Sequence, residues 1–115
     1  MARVVVFVPD LLFGSNVAGA LTAAGHEPQL VSNLEHASFG EADLLVLDLT
    51  ADPRERIDAV RSRLPAGLPT IAFYSHVETD VREIAERQGY TLVVPRSRMA
   101  REAGALVDRL LAPDA

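Results

Sequence analysis

The 115-residue chain contains neither cysteine nor lysine. Without cysteine there is no disulfide framework, no thiolate nucleophile and no Cys-ligated metal, and nothing calls for an oxidising compartment. Without lysine, all fixed positive charge rests on 11 arginines, dispersed among 16 acidic residues for a net charge of -5. A concentrated basic face is missing, which argues against nucleic acid as a partner; the arginine-only, alanine-rich composition reads as that of a GC-rich genome. Long apolar runs are missing as well. "MARVVVFV" has one arginine and a short apolar stretch before Pro9 and Asp10, too short for a signal peptide or a membrane span. The expectation is a single cytoplasmic domain over residues 1–115.

What is present suffices for a core. Apolar residues make up 49% and charged residues 23%, too apolar a balance for intrinsic disorder. Short apolar runs alternate with helical periods from end to end. Val4 to Val8 is a β-branched and aromatic run, as in a strand buried on both faces. After "PDLLFG", Ser15 is an N-cap candidate for a helix with Val17, Ala20, Leu21 and Ala24 inward, stopped by Gly25. Pro28 to Val31 predicts a second strand, placed at a sheet edge by its proline. "NLEHASFGEA" is too short and irregular for a crossover helix and leaves room for one or two turns between Leu34 and Phe39.

Leu44 to Leu47 is another buried strand. Asp52 and Pro53 signal a helix start, a capping carboxylate with proline at the first helical position, followed by Ile57, Val60 and Leu64 inward and an end before Pro65. Thr70 to Tyr74 predicts a fourth strand, and "VETDVREIAERQG" a helix with Val81, Ile84 and Ala85 inward, stopped by Gly89. Leu92 to Val94 is a fifth strand. Met99, Ala103, Leu106, Val107, Leu110 and Leu111 recur at helical spacing in a last helix ending near Pro113. This alternation predicts an α/β fold: one doubly wound, five-stranded parallel sheet in the flavodoxin-like order 2-1-3-4-5, with a shortened second helix.

In such sheets ligands bind outside the carboxyl ends of the strands. The residues just past each strand are polar: Asp10; Asp48 and Thr50; Tyr74, Ser75 and His76; Arg96 and Ser97. Asp10 and Asp48, on adjacent strands, are candidate ligands for Mg²⁺, which takes one or two carboxylates and keeps several waters. A hydroxyl at Ser75 and a cation at Arg96 suit a phosphoryl group, and His76 and Ser97 are further candidate anion contacts.

This set resembles the bacterial response-regulator receiver domain over nearly the whole chain. The resemblance implies that Asp10 matches the second acid after strand one, Asp48 the Asp that accepts phosphate from a histidine kinase, Tyr74 or Ser75 the hydroxyl after strand four, and Arg96, in "QGYTLVVPRS", the lysine after strand five. It also implies a protein partner such as a histidine kinase, and a homodimer through the last strand and last two helices. The departures are specific. Pro9 stands where the first acid belongs, arginine replaces lysine and is not its geometric equivalent, and "LTADP" replaces the usual Met-Pro turn. The expectation is a stand-alone, degenerate receiver-like domain that works through protein contacts rather than turnover.

Plainer readings of the same residues are a loop-capping carboxylate at Asp48, a turn residue at Asp10, a loop or helix-capping His76, and Ser97 as an N-cap. There is no GxSxG elbow, P-loop lysine, Gly-x-Gly fingerprint or Asp-x-His-x-x-Gly loop. One alternative stays open: the amides of "FGSNVAG", after strand one, could hold a small anion, a nucleotide or a flavin phosphate in a flavodoxin-like binding domain.

Overall fold

The computed structural model describes residues 1–75 and 77–112. Five parallel strands, β1 (Arg3–Phe7), β2 (Glu27–Val31), β3 (Leu44–Asp48), β4 (Thr70–Tyr74) and β5 (Leu92–Pro95), form one sheet in the order β2-β1-β3-β4-β5. Between and after them lie α1 (Leu11–Ala23), α2 (Pro53–Arg61), α3 (Thr79–Arg87) and α4 (Arg96–Leu111). The expected order is the one observed, and β4 has the bounds read from its apolar run. Pro28 sits on β2, an edge strand, where its missing N–H interrupts no second ladder.

Alternation along the strands sorts the core into two layers. Val4, Val6, Leu44, Val46, Ile71 and Phe73 face α1 and α4. Val5, Phe7, Leu45, Leu47, Ala72 and Tyr74 face the other way, toward Ile57 and Val60 of α2 and Val81 and Ala85 of α3. Where a further crossover helix would lie between β2 and β3, two single 3₁₀ turns stand instead, Leu34–His36 and Phe39–Glu41. Leu34 is buried, Asn33 caps the first turn by accepting from Glu35 N–H, and the Gln29 amide ties the segment to the edge strand. Its Oε1 accepts from Ser38 N–H at 2.8 Å, while its Nε2 donates to His36 O. At the amino end of the sheet, Ala2 N–H donates to His26 Nδ1, which leaves Nε2 to donate to Asp108 of α4 at 2.5 Å.

Three helix starts differ from expectation. Helix α1 begins at Leu11, with Asp10 as its cap: the Asp10 carboxylate accepts from Phe13 N–H at 3.1 Å, and Ser15 lies exposed inside the helix. Asp10 wins because the link from β1 to α1 is only three residues long, Val8 to Asp10, so the helix starts well before Ser15. Asp52 precedes α2, but its carboxylate makes no capping bond; its backbone is left-handed (φ 45°, ψ 47°), which reverses the chain between β3 and α2. Ser97 lies in the first turn of α4, and the cap position belongs to Pro95. Gly25 and Gly89, at φ 89° and 76°, end their helices as read. Pro113, the expected end of the last helix, lies outside the described residues.

Helices α1 and α4 approach closely at Gly104, where an added Cβ would lie 2.9 Å from Ala24 Cβ and 3.4 Å from Ala20 O. Gly19, in α1, has open space around it. Gly19 and Gly104 therefore predict opposite responses to alanine. Gly19→Ala is expected to gain up to about 1 kcal/mol from helix propensity. Gly104→Ala is expected to lose about 1–3 kcal/mol as the helices are forced apart. Urea unfolding of the two variants checks this, and equal signs would contradict the packing described.

Candidate functional site

Asp48 ends β3, a strand flanked by β1 and β4, and is 3% exposed. A carboxylate this deep must find partners within the chain, and both oxygens do. Oδ1 accepts from Thr50 N–H at 2.8 Å and from Thr50 Oγ1–H at 2.6 Å, a local turn in which the side chain bonds the backbone two residues on. Oδ2 faces Arg56 Nη1 at 3.3 Å. The same Nη1 donates to the Asp48 carbonyl oxygen at 3.0 Å. The Arg56 side chain is only 14% exposed, and its guanidinium carbon lies 6.0 Å from the centroid of the Phe7 ring. Among the described residues no buried side-chain nitrogen or oxygen lacks a partner.

Asp10 lies three residues beyond β1, directly before α1, and is exposed. It caps α1, and its Oδ2 faces Arg96 Nη2 at 3.8 Å. Arg96, the first residue of α4, stacks over the Phe13 ring at 4.3 Å from the centroid. This cation–π contact joins the start of α1 to the start of α4. Ser75 is the first residue past β4, and its carbonyl accepts from Glu78 N–H at 2.8 Å. Tyr74, the other candidate for the hydroxyl position, packs into the layer beneath α2 and α3. Ser97 is exposed. His76 lies outside the described residues. "FGSNVAG", whose amides were candidates to hold a small anion, is part of α1, where Gly14 N–H already donates to Asp10 O at 2.8 Å.

Each carboxylate at this edge thus has its own arginine: Asp48 with Arg56, and Asp10 with Arg96. Among the described residues there is no group of three or more acidic or histidine side chains able to hold a metal ion. Mg²⁺ needs carboxylate oxygens free to join a regular octahedron of waters. The Asp48 carboxylate as placed, saturated by Thr50 and faced by a guanidinium, does not fit it.

Arg56 is the residue that sequence reading missed. Its signal was its place on the inward stripe of α2, beside Ile57 and one turn before Val60, both buried. A guanidinium on an apolar stripe must pair with a nearby acid, and Asp48 is the acid that ends the adjoining strand.

A five-stranded parallel sheet in this order, with carboxylates at the ends of its two central neighbours β1 and β3, is the receiver fold of response regulators. No known family model matches the sequence, nor does any curated protein. Solved structures do match it. A response regulator receiver protein from Burkholderia phymatum superposes with a TM-score of 0.80 at 22% identity, covering 100% of this chain and 98% of the other. The receiver domain of NtrX from Brucella abortus gives 0.76 at 20%, covering 97% and 99%. HP1043, an orphan response regulator of H. pylori, gives 0.71 at 16%, covering 96% and 94%. At these identities the likeness establishes the fold.

The capping geometry generates a direct prediction. Asp10→Ala removes the acceptor for Phe13 N–H and is expected to lose about 1 kcal/mol. Asp10→Asn keeps that acceptor and stays within a few tenths of it, and Ser15→Ala is neutral or slightly stabilising. Chemical unfolding of the three variants checks the order, and a larger loss at Ser15 than at Asp10 would move the cap back to the later position.

Proposed function

We propose that the chain is a receiver-like regulatory domain that acts in the cytoplasm through protein contacts and does not transfer phosphate at Asp48. The observation that carries this reading is the state of the Asp48 carboxylate. A phosphoacceptor attacks in line with one free oxygen, whereas here Thr50 donates twice to Oδ1 and Arg56 faces Oδ2. Arg96, at the position of the family's lysine, faces Asp10 at 3.8 Å and stacks on the Phe13 ring. Contact with other proteins draws support from Leu11 and Leu12, which begin α1 and are 71% and 76% exposed. The anion-binding alternative loses support, because the amides it relied on lie within α1, and the helix start is occupied by a carboxylate.

The test is incubation with acetyl phosphate, or with beryllofluoride, in the presence of Mg²⁺, read by intact-protein mass spectrometry and by thermal melting. No adduct and no shift are expected. A phosphoryl adduct that disappears in Asp48→Asn would overturn the reading.

A homodimer through β5, α3 and α4 belongs to the same proposal. Its support is the open edge of β5, where Leu92 and Val93 are only half-buried. Sedimentation equilibrium is expected to return twice the 12.4 kDa chain mass at micromolar concentration; a chain mass that stays single into the high micromolar range sinks the dimer and leaves the domain reading intact.

A further inference from the structure

At the end of β3, the positive charge that the receiver likeness would assign to a metal ion comes from the chain itself. We infer that the Arg56 guanidinium is the resident counter-cation of Asp48, taking the place of a divalent ion and making the carboxyl edge indifferent to Mg²⁺. This rests on the reading of the chain as a receiver-like domain without phosphotransfer, and it names the residue responsible.

The local chain is arranged to bring Arg56 back over the strand end. Asp52 turns the backbone through a left-handed conformation, Pro53 starts α2, and Arg56 N–H donates to Asp52 O at 3.0 Å, closing the first turn. From there the side chain lies along the layer containing Phe7, and Nη1 reaches both the carbonyl and the carboxylate of Asp48. A cation at this place needs a cause, because the first turn of a helix carries positive partial charge and repels one. Arg54 precedes it in the same turn and adds to that repulsion, which Glu55 between them offsets in part. The Asp48 carboxylate is the compensating group, and the low exposure of both side chains strengthens the pairing.

The same facts bar a divalent ion. To reach Asp48 it would have to displace Thr50 from Oδ1 or lie beside a fixed guanidinium at Oδ2, and Mg²⁺ gives up its waters reluctantly. Arginine stays protonated throughout the usable pH range. The neutralisation of Asp48 is therefore permanent, where a bound metal would come and go.

The experiment compares four full-length proteins: wild type, Arg56→Met, Asp48→Asn and the double variant. Each is melted at matched ionic strength with and without millimolar MgCl₂ or MnCl₂. The wild-type melting temperature is expected to be unmoved by either ion. Arg56→Met, left with an uncompensated buried carboxylate, is expected to melt at least about 5 °C lower and to recover part of the loss with Mg²⁺ or Mn²⁺. The double variant is expected to melt above Arg56→Met and to ignore both ions. An Arg56→Met protein that melts like wild type, or that folds without gaining a metal response, overturns the inference, as does a wild-type response that Asp48→Asn abolishes. If Arg56→Met does not fold, a double variant that folds supports the inference; one that also fails overturns it, because the loss then belongs to the packing of Arg56. No phosphodonor is present, so failure here is distinct from phosphoryl uptake by the wild type, which would overturn the proposed function itself.

Discussion

Strands β1, β3 and β4 are covered on both faces, so every side chain along them must be apolar or be met by a partner inside the protein. The two buried polar residues among those described, Asp48 and Thr70, obey this constraint, and both stand at strand ends. Thr70 opens β4, with its hydroxyl donating to Leu68 O and its N–H to Thr91 Oγ1. Asp48 closes β3 one step beyond β1: Leu47 is the last residue of β3 paired with that strand, and Asp48 pairs with Phe73 of β4. Its depth follows from a central place in the sheet. Its need for Thr50 and Arg56 follows from its depth.

The face between β2 and β3 obeys the same constraint with less material. Two short 3₁₀ turns cover what a helix would otherwise cover, and neither is long enough to hold itself by its own hydrogen bonds. They are held from outside, by Leu34 in the core and by the Gln29 amide. Arg3 adds an anchor at the amino end, pairing with Glu41 at 3.0 Å while its backbone N–H donates to Asp43. An edge strand can spare a polar residue such as Gln29 for this work; a central strand could not.

The contrast between Gln29 and Asp48 also separates what was legible in the sequence from what was not. Runs such as "TIAFY" read directly as strands because burial on both faces demands unbroken apolarity, and Pro28 marked the edge because it cannot serve two ladders. Helix starts were harder to read, since several nearby residues can cap. Asp10 and Ser15 are both good N-caps, and the choice between them was made by the short three-residue link between β1 and α1. That early start leaves Leu11 and Leu12 facing water, an outcome hydropathy alone would not suggest. Arg56 was least legible, because its role depends on a left-handed turn at Asp52 that no pattern announces.

The two carboxylates at the sheet's carboxyl edge differ in kind. Asp10 is exposed, and its ion pair with Arg96 is weak at 3.8 Å; the value of that corner lies in the helix cap and in the arginine stacked on Phe13. Asp48 is buried and Arg56 largely so, and breaking such a pair by removing one partner costs up to about 3–5 kcal/mol although the pair as a whole adds little net stability. A pair of that kind is better explained by fixing one arrangement than by strengthening the fold. It ties the start of α2 to the end of β3 and so holds that junction. With that junction held by an arginine of the same chain, the carboxyl edge of the sheet is fixed in one arrangement by its own side chains.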